Sequence, residues 1–196
     1  MQYDVVVIGA GAVGALISLE LSKKDIRVAM LDKCNDVAMG TTKANSAIVH
    51  GGFDAANGTL KAKLNVRGTA LMPQLCADLA VPYRNNGSLV LAFSEEEMEH
   101  VHTLYERGQK NGVPRLSVID KAVVKAMEPH VSDEVVGALL SETAGIVCPY
   151  ELTIAATEVA VTNGVEFLRN CAVESIQANM TALCFRPPAV KLKHPM

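Results

Sequence analysis

The sequence predicts an α/β fold built on a βαβ unit with two parallel strands. Residues 4–8 (DVVVI) are a short, continuously apolar and mostly β-branched run, which is typical of a strand buried on both faces. The run leads through a glycine-rich turn into an apolar helix, and residues 27–31 (RVAML) have the composition of a second strand. Strand, helix and strand in about thirty residues form a βαβ unit of a Rossmann-like α/β fold, whose crossover is right-handed.

The elements that follow are predicted from apolar periodicity and capping residues. A helix is expected over 59–79, broken or bent near Pro73, and a second helix opens at the capping box Ser94–Glu97 and stops at Gly112. Shorter helices are predicted over 121–127 and 151–162, and strands over 88–93, 113–120, 135–140, 165–168 and 173–177. Residues 142–150 are predicted to be a turn-rich connection. The last segment, NMTALCFRPPAVKLKHPM, has no clear period, so no hairpin return is predicted there.

Composition excludes several classes of function. The 18 basic and 21 acidic residues form no basic stripe, which argues against a nucleic-acid partner. No run of about 18 apolar residues indicates a transmembrane span. The five cysteines show no metal-ligand spacing, so no metal is predicted, and their scatter suits free thiols in a reducing cytoplasm. We therefore expect a cytoplasmic protein, with peripheral contact at a membrane as the alternative.

The glycine-rich turn fits the pattern G-x-G-x-x-G. Its three glycines permit a tight turn, close approach to a pyrophosphate and close helix–strand packing, with the phosphates at the helix N-terminus. The predicted pyrophosphate site comprises Gly9, Ala10, Gly11, Ala12, Val13 and Gly14. Asp32 ends the second strand, with Lys33 beside it, and its carboxylate suits a ribose hydroxyl better than a 2′-phosphate. The ligand is therefore FAD or NAD.

The segment Gly40–Gly52 (GTTKANSAIVHGG) distinguishes these two cofactors. In a nicotinamide dehydrogenase the second strand usually leads to another crossover, whereas here it leads to small residues with closely spaced hydroxyls and amides. Such a segment can lie along an extended, flat cofactor and donate hydrogen bonds to it. The polar side chains are Thr41, Thr42, Asn45 and Ser46. The segment favours FAD.

With this segment the chain resembles the D-amino-acid-oxidase-type (DAO) FAD oxidoreductases. It is most similar to their flavin-linked glycerol-3-phosphate dehydrogenases and L-2-hydroxyglutarate dehydrogenases. EPHVSDEVVGALLSETAGIVCPY resembles the segment that leaves the family's substrate domain, and GVEFLRNCAVESI resembles the strand pair that re-enters its FAD domain. The resemblance covers about residues 3–178, and the chain from Met180 onward is expected to depart from the family.

The resemblance implies roles for individual residues. Gly40, Thr41, Thr42 and Ser46 would line the flavin side, and the backbone at Val173 would meet adenine. His50 would lie near the flavin ring or the substrate and take the hydroxyl proton of a 2-hydroxy compound. The alternative is a structural histidine that fixes the Gly51–Gly52 turn.

The resemblance also implies an activity and a domain plan. The expected reaction oxidises a CH–OH group of glycerol 3-phosphate or of a 2-hydroxy acid such as L-2-hydroxyglutarate, with quinone, oxygen or another redox protein as electron acceptor. The alternatives are an amine or amino-acid oxidase of the same fold and an inactive nucleotide-binding fragment. We expect an FAD-binding domain over 1–80 and 149–178, an inserted, partial α+β substrate domain over 81–148, and an atypical tail over 179–196. Relatives are about twice as long, so a C-terminally truncated chain is expected.

Overall fold

The structure is a computed structural model that describes residues 2–178 and 183–186. It divides into two compact units, one formed by residues up to Ser46 together with those from Pro149 onward, and the other by Ala47–Cys148. Within the described residues no helix is both long enough and apolar enough to cross a membrane.

The described residues form eleven short strands, five α-helices and one 3₁₀ turn. The strands are β1 (Val5–Ile8), β2 (Val28–Leu31), β3 (Ile48–Val49), β4 (Tyr83–Arg84), β5 (Ser88–Ala92), β6 (Leu116–Asp120), β7 (Gly137–Ser141), β8 (Gly145–Val147), β9 (Glu166–Leu168), β10 (Ser175–Ala178) and β11 (Leu183–Arg186). The α-helices are α1 (Ala12–Leu21), α2 (Leu60–Asp78), α3 (Glu95–Asn111), α4 (Lys121–Met127) and α5 (Pro149–Thr162), and a 3₁₀ turn spans Thr41–Lys43.

The first unit contains the parallel sheet that the sequence predicts. β2 lies between β1 and β9, and both pairings are parallel. All four residues of β2 are buried, which explains why this strand is a continuous apolar run without alternation. Helices α1 and α5 pack against each other. The predicted α/β Rossmann-like architecture is confirmed in this unit.

The second unit is built on an antiparallel sheet in the order β5–β7–β6. Helix α3 packs on this sheet with Val101 and Leu104 against Leu139, all nearly inaccessible to solvent. The Ser94 hydroxyl accepts a hydrogen bond from the Glu97 N–H at 3.2 Å, as the capping box predicts. A second sheet has the order β3–β8–β4.

Several elements differ from the sequence prediction. Helix α2 runs through Pro73 as one helix rather than breaking there. The strand expected over 113–120 begins only at Leu116, because Arg115 has a left-handed φ of +50°. Strand β8 forms inside the segment predicted as turns, where pairing on both edges compensates for its three-residue length.

The C-terminal prediction is also corrected. No hairpin partner was predicted for the strand over 173–177, but β10 pairs antiparallel with β11. The pairing runs from Ser175 opposite Arg186 to Ala178 opposite Leu183. The expected tail over 179–196 otherwise lies outside the described residues.

One of the two divisions between the compact units differs from the expected domain plan. The first division falls between Ser46 and Ala47 rather than at residue 80, because β3 pairs with β8 and α2 contacts α3 and β4 inside the second unit. The second division falls between Cys148 and Pro149.

Candidate functional site

The glycine-rich turn brings the first turn of α1 directly against the end of β1. A Cβ atom at Gly14 would lie 1.8 Å from the carbonyl oxygen of Gly9, a distance that no side chain tolerates. Gly9 itself has a φ of +105°, and its N–H donates to the Leu31 carbonyl at 2.7 Å, which ties the turn to β2. Close helix–strand packing at this position therefore depends on glycine.

The N-terminus of α1 is open to an anion. Gly11 is the N-cap residue and supplies no side-chain cap, so the amides of the first turn lack partners within the helix. The Ala12 N–H donates to the Thr42 hydroxyl oxygen at 3.0 Å. Val13, in the same turn, is 74% exposed. The helix dipole and these amides favour negative charge at this end of α1.

Asp32 lies beside this helix end and is held by backbone amides. Its Oδ2 accepts from the buried Ala10 N–H at 2.7 Å, and its Oδ1 accepts from the Cys34 N–H at 2.8 Å. Partial burial raises the pKa of the Asp32 carboxyl, but the two amides, the Cys34 thiol and the charge of Lys33 outweigh it and hold the pKa below its ordinary value. Because each carboxylate oxygen can accept two hydrogen bonds, the ionised side chain retains capacity for a ligand hydroxyl.

The residues after Gly40 approach the same turn. Thr41–Lys43 form the 3₁₀ turn, and the Asn45 side-chain amide donates to the Thr42 carbonyl at 2.7 Å. This turn sets the Thr42 hydroxyl against the Ala12 N–H, so Thr42 contacts the glycine-rich turn directly. Ser46 and Lys33 are exposed in the same unit.

The chain returns to the end of β2 through a segment after β9. The Cys171 N–H donates to the Asp32 carbonyl and the Asn170 N–H to the Cys34 carbonyl, both at 2.8 Å. Val173 follows in this segment and is half-buried. The first unit thus gathers the glycine-rich turn, Asp32, Thr42 and the Val173 segment.

His50 belongs to the second unit. Its backbone is anchored by α2, because its carbonyl oxygen accepts from the Asn65 amide at 3.0 Å and from the Thr69 hydroxyl at 2.5 Å. Its side chain is exposed, and among the described residues no hydrogen bond to the imidazole is found. The His50 carbonyl therefore ties the bend at residues 50–52 to α2.

The two glycines after His50 are packed tightly. A Cβ atom at Gly51 would lie 2.2 Å from the Ser141 hydroxyl oxygen, and one at Gly52, whose φ is +106°, would lie 2.6 Å from a Val66 methyl carbon. The Gly-Gly step therefore lets the His50 bend pass between β7 and α2.

Two contributors at the site were not predicted from the sequence. Cys34 acts through its backbone N–H, which leaves no signal in residue type. Asn170 adopts a left-handed φ of +54°, a conformation that asparagine tolerates better than most residues, and this is the one signal that residue type offers there.

Comparisons with known proteins agree with this geometry. The model of the family described as "DAO: FAD dependent oxidoreductase" matches residues 4–186. This corrects the expectation that the resemblance covers about residues 3–178 and is lost from Met180 onward. A glycerol 3-phosphate dehydrogenase of Caloramator mitchellensis is 51% identical over 174 residues, covering 88% of this chain and 36% of the relative. A mitochondrial L-2-hydroxyglutarate dehydrogenase of Nematostella vectensis is 37% identical, covering 74% of this chain and 32% of the relative.

A solved structure gives the same result. The dithionite-reduced L-alpha-glycerophosphate oxidase from Mycoplasma pneumoniae with FAD bound superposes with a TM-score of 0.89 at 26% identity, covering 97% of this chain and 51% of that one. The chain thus spans about a third of the length of its curated relatives and half of this structure. It belongs to the DAO family of FAD-dependent oxidoreductases.

Proposed function

We propose that this chain binds FAD through its first unit, with the pyrophosphate at the N-terminus of α1. The observation that carries the proposal is the close approach at Gly14, where a Cβ atom would lie 1.8 Å from the Gly9 oxygen and would force the helix end away from the turn. The first-turn amides, which have no side-chain cap from Gly11, suit a diphosphate. The residues present therefore fit the cofactor of the family.

The neighbouring residues are proposed to hold the adenosine part. Asp32, kept ionised by the Ala10 and Cys34 amides, would accept hydrogen bonds from the ribose hydroxyls. The backbone at Val173, which follows the segment bonded to the end of β2, would meet adenine. Lys33, exposed beside Asp32, would contribute positive charge.

Gly40, Thr41, Thr42 and Ser46 are proposed to line the flavin side. The Thr42 hydroxyl oxygen already accepts from the Ala12 N–H, so its own proton remains available for a cofactor oxygen. This contact extends the proposed role of Thr42 from the flavin to the pyrophosphate.

His50 is proposed to move the substrate proton. FAD, when bound, supplies the two-electron acceptor for oxidation of a CH–OH group. A neutral imidazole nitrogen of His50 would take the hydroxyl proton of the substrate as a general base. The exposed ring and the carbonyl fixed by Asn65 and Thr69 support this role.

The proposed substrate is glycerol 3-phosphate or a 2-hydroxy acid such as L-2-hydroxyglutarate. The support is the 51% identity to a relative named glycerol 3-phosphate dehydrogenase. The amine or amino-acid oxidase alternative has weaker support: the glycine oxidase from Geobacillus kaustophilus superposes with a TM-score of 0.86 at 24% identity, which shows the fold alone. Quinone, oxygen or another redox protein then takes up the electrons.

The substrate proposal is tested by anaerobic titration of the FAD-loaded chain, with the flavin absorbance followed near 450 nm, where oxidised flavins absorb. Glycerol 3-phosphate, L-2-hydroxyglutarate and glycine are added separately. Bleaching by a hydroxy compound and not by glycine supports the proposal. Bleaching by glycine alone would instead establish the amine-oxidase alternative, and bound flavin that no compound bleaches would favour a chain that binds nucleotide without turnover.

A further inference from the structure

We propose that a cavity in the second unit, between α2 and the start of β6, binds the carboxylate of a small organic acid. The cavity has a volume of about 340 Å³, within the range of small-molecule sites in proteins. Its lining comes from the unit Ala47–Cys148, so the proposal is independent of FAD binding by the first unit.

Arg115 provides the positive charge of this cavity. Its side chain is 60% exposed, and the ion pair that the structure records for it, from Nη1 to Glu142 Oε2, is 3.9 Å long. That separation exceeds hydrogen-bond distance, so the five N–H donors remain available to a ligand. A planar guanidinium matches a carboxylate through two parallel hydrogen bonds.

The backbone of Arg115 is held in a costly conformation. Its φ is +50°, a region that side chains other than glycine rarely adopt, and its carbonyl accepts from the Glu142 N–H at 3.2 Å. Such residues persist where the surrounding structure fixes them, and they concentrate at binding sites. Arg115 and the preceding Pro114 both line the cavity.

Two residues of the cavity lining carry buried hydroxyl groups without partners. The Tyr83 hydroxyl and Thr143 Oγ1 are shielded from solvent and have no hydrogen bond within the described residues, although both residues line the cavity. Burial raises the pKa of Tyr83, so its phenol stays neutral and keeps its proton for donation. An unpaired buried hydroxyl costs free energy, so these two lining residues retain unused hydrogen-bonding capacity.

The remaining lining selects a small acid with an apolar body. Val66, Ala70, Pro73 and Pro114 supply apolar surface. Arg115 is the single charged residue that lines the cavity in the part of the chain described. One cation with the Glu142 carboxylate nearby favours a monoanion over a doubly charged phosphate, which that carboxylate would repel.

The cavity also borders the bend at residues 50–52. Gly51 lines it, and the lining residue Thr69 donates to the His50 carbonyl. A bound acid would therefore touch the same α2 residue that fixes this bend.

The test is NMR titration of the intact chain with butyrate, following the methyl signals of Val66 and Ala70. Butyramide has the same shape without the charge and serves as the ligand control. The proposal expects saturable shifts with butyrate, none with butyramide, and affinity at least about tenfold weaker in Arg115→Gln. Arg67→Gln removes an exposed arginine of α2 that does not line the cavity and should leave the affinity unchanged.

Three outcomes would overturn the proposal: no saturable shift in the wild-type chain, equal shifts with butyramide, or equal loss of affinity in Arg115→Gln and Arg67→Gln. Inorganic phosphate, titrated separately, should bind more weakly than butyrate. Phosphate binding as tight as butyrate binding would refute the preference for a carboxylate. Both substituted residues are exposed, and a thermal melt of each variant verifies that it is folded.

Discussion

Replacing Gly14 by alanine should separate the helix end from the glycine-rich turn. The added Cβ would lie 1.8 Å from the Gly9 carbonyl oxygen and 3.0 Å from the Gly9 carbonyl carbon, so both obstacles are backbone atoms that cannot rotate away. Because a close-packed interior is hardly compressible, the added Cβ can be accommodated only if α1 moves by about 1 Å. Overpacking of this kind costs about 1–3 kcal/mol, offset by up to about 1 kcal/mol from the higher helix propensity of alanine.

We therefore expect a net loss of about 1 kcal/mol, which lowers the melting temperature by about 2–4 °C for a chain of this size. The displaced amides should also weaken FAD binding by about tenfold or more. Thermal melts and flavin-fluorescence titrations measure the two effects. Gly68→Ala is the matched control for FAD binding, because nothing lies within 4 Å of its added Cβ and it belongs to α2, outside the proposed cofactor site. Wild-type melting and FAD affinity in Gly14→Ala would refute the reasoning.

Four further outcomes follow from the described contacts. Asp32→Asn should weaken FAD binding by about tenfold, since it removes the charged acceptor for the ribose, as a fluorescence titration would show. Because the pKa of Asp32 is lowered in the folded chain, its ionised carboxylate stabilises the fold above the ordinary pKa, and this stabilisation is lost as the pH falls through the lowered value. The melting temperature of Asp32→Asn should therefore fall less steeply with acid than that of the wild-type chain below about pH 4. Ser94→Ala should cost about 1 kcal/mol by removing the α3 cap, with Ser94→Thr as the control that retains it, measured by urea unfolding. Gly68→Ala, inside α2 with nothing near its added Cβ, should instead raise stability by about 1 kcal/mol in the same assay, and a loss would contradict the geometry of α2.

The βαβ unit could be read from the sequence because each of its signals is local. A continuous apolar run, three glycines at fixed spacing and an acid at the next strand end lie within residues 4–32, and neighbouring residues decide their conformations. The α3 cap at Ser94 and the stop at Gly112 are local in the same way.

The parts that were missed depend on partners distant in sequence. β8 has three residues and is a strand because β3 and β4 pair with its two edges. Strand β11 is likewise a strand because it pairs with β10. Its four residues, which two prolines follow in the sequence, are too few to show a strand pattern of their own.

At the site, the sequence supplied the residue types but not every contact. It predicted Asp32 and the glycines, whose spacing has a direct geometric meaning. It did not place the Thr42 hydroxyl on the Ala12 amide, because that bond joins residues thirty positions apart through a 3₁₀ turn. Backbone donors such as the Cys34 N–H have no signature in sequence at all.

The most direct measurement is a backbone-amide NMR titration of this chain with FAD, with NAD as the comparison. If the diphosphate binds on the helix end, the amide signals of Gly11–Gly14 and of Cys34 should shift saturably with FAD and respond far less to NAD. Saturable FAD binding that leaves those amides unmoved while others shift, or equal shifts with NAD, would contradict the account.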